Sequence, residues 1–166
     1  MDQKHANVHV PSLITSPADV SRLKREIVAL DNYLEQESLR AGGQQVKLPK
    51  TSRVLDELVI ANKLNLLDKA TRQNLAAFLE DLTKNAPVVH ISFASDPSSA
   101  FMQKIVHWLR QNINPSILVR VGLQPNIAAG CVVRTTNKYF DFSLRQYLRK
   151  HEADLLAAIK SSGENS

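Results

Sequence analysis

The sequence predicts an α+β protein, with a helical N-terminal region over residues 1–86 and a small β-α-β-β-α domain with a mixed sheet over residues 87–166. Three observations carry this reading. Up to Pro87 the apolar residues recur every three or four positions, the period of a helix with one buried face. After Pro87 the first apolar run, Val88-Val89-His90-Ile91-Ser92-Phe93, is β-branched and roughly alternating, as a half-buried strand requires. Prolines and glycines then punctuate short segments at strand and helix lengths.

Residues 1–15 read as an unpatterned leader. Ser16-Pro17-Ala18-Asp19 opens the first helix. Ser16 can cap it, Pro17 suits a position whose N–H has no intrahelical partner, and Asp19 favours the positive end of the helix dipole. Val20, Leu23, Ile27, Leu30 and Leu34 form its apolar stripe, and Ala41-Gly42-Gly43 ends it. Thr51 or Ser52 caps a second helix, with Val54, Leu55, Leu58, Val59 and Ala61 inward and a stop near Asn62-Lys63. Asp68 caps a third, with Leu75, Phe78, Leu79 and Leu82 inward, ended by Asn85-Ala86-Pro87. About three amphipathic helices make a minimal bundle that leaves apolar surface wanting a cover.

In the second half, Asp96-Pro97 opens a helix with the stripe Phe101, Ile105, Trp108 and Leu109. Ile117–Val121 is the next strand, Gln124-Pro125-Asn126 a turn, Cys131–Arg134 a third strand, and Tyr139-Phe140-Asp141 a short fourth. The first crossover is long enough for a parallel pair, and the later pairs read as hairpins. Ser143 starts the last helix. Phe142 and Tyr147 can staple its first turn, and Leu144, Leu148, His151, Leu155 and Ile159 point inward.

Composition excludes several classes. An apolar fraction of 43% with 22% charged residues excludes wholesale disorder. No apolar run approaches the ~20 residues of a membrane span, and the polar N-terminus lacks a signal-peptide core, so a cytoplasmic location is expected. The single cysteine, Cys131, excludes an internal disulfide framework and reads as a small buried hydrophobe. No nucleophile elbow, P-loop or dinucleotide fingerprint occurs, so no catalytic residue, metal or cofactor is expected. The histidines are scattered. His5 and His9 have helical spacing but lie in the leader without a third ligand, and His90, His107 and His151 read as packed or surface residues. Asp141 and Ser143, directly before a helix, read as partners for its unpaired N–H groups rather than as a catalytic pair.

The net charge of +5 permits an acidic partner without demanding one. Arg120, Arg134, Lys138, Arg145, Arg149 and Lys150 flank the strands and the last helix, where they can meet phosphates, solvent or an acidic protein. A small basic nucleic-acid-binding module is therefore the alternative reading. An aromatic content of only 5%, with no basic–aromatic interleaving recognised, argues against it.

The run Val119-Arg120-Val121-Gly122-Leu123-Gln124-Pro125-Asn126-Ile127-Ala128-Ala129-Gly130-Cys131-Val132-Val133-Arg134, followed by Phe140-Asp141-Phe142-Ser143-Leu144-Arg145, resembles the C-terminal signature of the F-type ATP synthase delta subunit family, whose mitochondrial counterpart is the oligomycin-sensitivity-conferring protein. That signature is a D-P-S-L-I-G-G turn, a V-V-V-R-type strand and I-D-G-S-L opening a helix. Pro125 and Gly130 match the turn, Val132, Val133 and Arg134 the strand, and Asp141, Ser143 and Leu144 the helix start. Gln124, Asn126, Ala129 and Phe142 depart from it. A related turn occurs in V-type stalk subunits. The family has a six-helix N-terminal bundle, so the helices read here imply a divergent member with a shortened N-terminal part. The resemblance implies a non-catalytic stator subunit, peripheral to the membrane through its complex. The helical region would take N-terminal helices of the alpha subunits, with Leu55, Leu58, Leu75 and Phe78 as candidates. The second domain would take the end of the peripheral-stalk b subunit, with Tyr147, Leu148 and Leu155 as candidates. No small-molecule substrate is implied.

Overall fold

A computed structural model describes residues 8–40, 47–152 and 154. In chain order the elements are α1 (Pro17–Arg40), α2 (Arg53–Asn62), α3 (Lys69–Asn85), β1 (Val88–Phe93), α4 (Ser99–Asn112), β2 (Leu118–Leu123), a 3-10 turn (Pro125–Ile127), β3 (Gly130–Arg134), β4 (Tyr139–Ser143) and α5 (Leu144–Lys150). This is the predicted α+β class. Ala41-Gly42-Gly43, Leu155 and Ile159 lie outside the described residues.

The chain forms two compact units, residues 1–87 with 100–118 and residues 88–99 with 119–166. In the first, the α1 stripe is buried as its spacing requires, with Leu55 and Leu58 of α2 and Leu75, Leu79 and Leu82 of α3. Each such side chain contributes roughly 1.5–3 kcal/mol by leaving water. The helix starts follow local chemistry. Ser16 Oγ accepts the Asp19 N–H at 3.2 Å while Asp19 accepts the Ser16 N–H at 2.9 Å, a reciprocal box. Ser52 and Asp68 accept from Leu55 and Thr71 at α2 and α3. Polar ties set how the helices meet. Glu26 of α1 accepts both the N–H and the hydroxyl of Ser52, at 2.6 Å each. The buried Arg72 of α3 donates to Asp31 of α1 at 2.6 Å and to the carbonyls of Leu66 and Leu67.

Residues 8–15 do not behave as a leader. Val10 and Ile14 are 5% and 0% exposed, so they are core. Arg110 of α4 explains why this segment and α4 belong to one unit. Its guanidinium donates to the carbonyls of Val10 (3.1 Å), Pro11 (2.7 Å), Ile14 (2.5 Å) and Ile117 (3.3 Å). The Asn62 side chain, in turn, accepts from His9 N–H and donates to His9 C=O. α4 starts at Ser99 rather than at Asp96-Pro97, and its buried residues are Met102, Val106 and Leu109, with Phe101 and Trp108 half exposed or more. Tertiary packing thus chose the other of two overlapping apolar stripes.

In the second unit the strand order is β2-β1-β3-β4. β1 and β2 run parallel, since Leu118 N–H bonds Pro87 C=O and Gln124 N–H bonds Phe93 C=O at one constant offset. β3 is antiparallel to both β1 and β4, so the sheet is mixed. The expected β2–β3 hairpin does not form. The turn after β2 carries the chain past the end of β1, and β3 pairs on its far side. One sheet face carries Val89, Ile91 and Phe93 of β1, then by register Val133 and Cys131, then Phe140 and Phe142. The face is buried at β1, half-buried at β3 and exposed at β4.

Candidate functional site

The segment from Gln124 to Lys150 closes on itself. Pro125 occupies the start of the 3-10 turn, whose lost N–H has no cost there. Ile127 plugs the core. Ala128 then sits at φ 67°, ψ −57°, and Ala129 N–H bonds Ile127 C=O at 2.9 Å. This is a positive-φ γ-turn, a rare and strained conformation for a residue with a Cβ. Ala128→Gly is accordingly expected to raise stability by roughly 1 kcal/mol, the strain relieved less the extra chain entropy of glycine. Urea unfolding checks it.

Gly130 follows at φ 89° and pairs with Ser143. The turn is also tied to the helix start, because Leu144 N–H bonds Ala129 C=O at 2.9 Å. Val132 is buried, Val133 half-buried and Arg134 exposed opposite Tyr139 and His90. The buried Ser143 hydroxyl accepts the Gln146 N–H at 3.2 Å, and Asp141 Oδ1 accepts the Ser143 N–H at 2.9 Å. Pro125, Gly130, Asp141, Ser143 and Leu144 are thus brought together as the frame that aims β4 and α5.

Hydrogen bonding by Ser143, with smaller attraction from Arg145 and Lys150, holds the Asp141 carboxyl below the usual carboxylate range. A carboxylate with a depressed folded pKa stabilises the fold above its unfolded value and loses that contribution as pH falls through the folded value. Asp141→Ala is therefore expected to melt below wild type at neutral pH. The gap should close as pH drops below the ordinary aspartate value of 3.8. Ser143→Ala is expected to cost about 0.5–2 kcal/mol at any pH, the usual effect of losing an N-cap. Thermal melts from acid to neutral pH separate the two.

The frame leaves large apolar side chains open. Tyr139, Phe140, Phe142, Leu144, Tyr147 and Leu148 are all substantially exposed, Phe142 at 63% and Tyr147 at 60%. The expected Phe142–Tyr147 staple is replaced by other pairs. Phe142 stacks on Phe140, with centroids 6.1 Å apart, and Tyr147 stacks on His151 at 4.4 Å. No residue of α5 is buried, so Leu144 and Leu148 face outward rather than inward. The cations Arg120, Arg134, Lys138, Arg145, Arg149 and Lys150 are exposed too. Basic and aromatic residues do interleave on β4–α5, which the sequence reading missed because it weighed aromatic content over the whole chain.

The other candidates fall elsewhere. Leu55, Leu58 and Leu75 are core residues and Phe78 is half-buried, so in this conformation they line no open face. The helical unit has instead an open groove along α1, bordered by Thr83 of α3, of about 520 Å³, over Val28 and Ala29 with Lys24, Arg25 and Asn32 at its rim, and a larger cleft of about 760 Å³ between residues 8–12, α2 and α4. Burial raises the Cys131 thiol pKa, as for a packed thiol. His9, His90 and His107 are exposed, and the described residues hold no cluster of three metal-ligating side chains. His5 and Leu155 lie outside the described residues.

This self-closed run of turn, strand and capped helix is the segment that carries the delta-type resemblance, and the class to which the chain falls is the ATP synthase subunits. More particularly, the chain belongs to the ATP synthase delta (OSCP) subunit family, whose model matches residues 25–155. A search of curated proteins found no match. The family supplies non-catalytic subunits of a complex associated with membranes. Among the described residues no helix is long and apolar enough to cross a membrane.

Proposed function

We propose that this chain is a stator subunit, joining the catalytic head of a rotary ATP synthase to its peripheral stalk so that the head does not turn with the rotor. The observation that carries the reading is the family match across residues 25–155, which takes in most of both compact units. The mechanism is mechanical: the chain makes and breaks no bond, and it resists torque through interface burial. On the head side, an N-terminal helix of an alpha subunit lies in the groove along α1 over Val28 and Ala29, a helix-in-groove mode. On the stalk side, Tyr147 and Leu148 of α5, with Leu155 beyond them, meet the end of the b subunit. A framed and exposed α5 supports this, since its apolar residues have no cover within the described fold.

The test is recovery of the tagged protein from its own membranes, with mass spectrometry of what accompanies it. Alpha, beta and b subunits are the expected companions. Nucleic acid or ribosomal proteins without ATP synthase subunits would replace this reading with the basic-module one.

A further inference from the structure

We propose that the polar face of the sheet is a nucleotide site, which seats a base on Tyr139 and takes the attached diphosphate between Arg134, His90 and Arg120. The four strands contain two arginines, one histidine and one tyrosine. All four fall in one row. His90 pairs with Arg134, and Arg134 with Tyr139. Arg120 lies beside His90, because the Leu118–Pro87 and Gln124–Phe93 bonds fix the same offset that puts Gly122 beside Ser92. Side chains alternate across a strand, so this row stands on the face opposite Val89, Ile91, Phe93, Phe140 and Phe142. All four side chains are exposed, and none forms an ion pair or a side-chain hydrogen bond among the described residues. Cations gathered on neighbouring strands with no carboxylate between them repel one another, and an anion seated in the row removes that cost. The only acidic residue of the four strands, Asp141, lies one row along on the outer strand, where its carboxylate already accepts the Ser143 N–H.

The arrangement selects the ligand. Neighbouring strands lie about 4.8 Å apart, so the row runs ~14 Å from β4 to β2, the reach of an extended nucleoside diphosphate. Guanidinium forks suit phosphate oxygens, and an imidazole N–H between them adds a donor. In the adjoining row Gly122 has no side chain, and the half-buried Ser92 hydroxyl beside it has no hydrogen-bond partner among the described residues. Together they leave a polar notch for a phosphate or ribose oxygen. A longer nucleic-acid strand needs several bases stacked in succession, and Tyr139 is the only aromatic side chain that the strands place on this face. Phe140 and Phe142 stack on the other. Bare pyrophosphate would leave the Tyr139 ring unused.

The experiment titrates the full chain calorimetrically with ADP, pyrophosphate, adenosine and a single-stranded oligonucleotide of about ten nucleotides, all without divalent cations. ADP is expected to bind with a Kd below about 1 mM and to weaken as salt rises. It is expected to bind about 10-fold more tightly than pyrophosphate, the share of one stacked base. Adenosine is expected to show no binding at the same concentrations. Arg120→Ala/Arg134→Ala is expected to lose at least ~10-fold in affinity for both ADP and pyrophosphate. Tyr139→Ser is expected to bring ADP down to the level of pyrophosphate and to leave pyrophosphate unchanged, a split that a merely structural role would not produce. Arg145→Ala/Arg149→Ala on α5 removes the same net charge away from the row and is expected to leave ADP binding within about 2-fold of wild type. All these positions are exposed, and circular dichroism checks that each variant folds. No ADP binding, pyrophosphate or adenosine as tight as ADP, the oligonucleotide tighter than ADP, or equal losses for the two arginine pairs overturns the proposal. None of these outcomes touches the recovery of ATP synthase subunits from membranes, so the stator reading stands or falls separately.

Discussion

Gly130→Ala is expected to destabilise the sheet-bearing unit by roughly 2–4 kcal/mol. Two penalties combine. At φ 89° an L side chain is strained, and its Cβ would lie 2.3 Å from the Phe142 carbonyl oxygen and 3.1 Å from Ser143 Cα. Both obstacles are backbone, so no rotamer change relieves them, and the β3–β4 ladder must open where it leads into α5. Hydrogen exchange should show lost protection for the amides from Cys131 to Leu144, and urea denaturation a lower midpoint. Gly122→Ala is the control. Its Cβ would meet Ser92, closely only at the movable hydroxyl, 3.1 Å away, with Cβ and Cα at ordinary contact distances of 3.8 and 3.9 Å, so a loss under about 1 kcal/mol is expected. Equal losses for the two variants would contradict the assignment of Gly130 as the pivot of the turn.

Arg110→Ala is expected to cost roughly 2–4 kcal/mol in the helical unit. Burial lowers the Arg110 pKa to about 10, so the guanidinium is still a cation at neutral pH. Four carbonyl oxygens offset that burial, and truncation leaves them without their donor. The N-terminal segment should then lift from α4, and proteolysis near Pro11 should accelerate. Arg110→Lys should recover only part of the loss, because an ammonium cannot span carbonyls placed around a planar fork. Full rescue by lysine would show that charge rather than the fork matters. Both predictions are readable by unfolding, and the single Trp108 lies in the same unit as Arg110.

These two residues differ in how visible they were. Gly130 stands at a motif position and can be singled out without coordinates. Nothing local marks Arg110, three of whose four acceptors lie about a hundred positions earlier in the chain. The faint signal was the spacing of Val10 and Ile14, apolar and four apart, within a stretch read as a leader.

The helices and strands themselves were legible wherever local chemistry decided them. Ser52, Asp68 and Ser143 cap helices because a short side-chain oxygen reaches an N–H three residues on, a relation contained within four consecutive residues. The α1 stripe is buried because its spacing matches one helix face. The Asp141–Ser143 pair could be read as a helix start for the same reason.

The misread features all depend on what lies across space. β3 pairs with β1 rather than β2, and strand neighbours are set by where the turn at Ala128 sends the chain. In α4 two apolar stripes compete, and the surroundings bury Met102 and Val106 in place of Phe101 and Trp108. Leu144 and Leu148 carry the same spacing as a buried stripe, yet nothing in the described fold covers them. The sequence alone therefore determined the fold class, the helix caps and the family. Tertiary structure alone decided the strand order, the Arg110 clasp and which apolar side chains remain for a partner. The physical reason is range: capping and periodicity act within about one or two turns of chain, while burial depends on neighbours that sequence distance does not reveal.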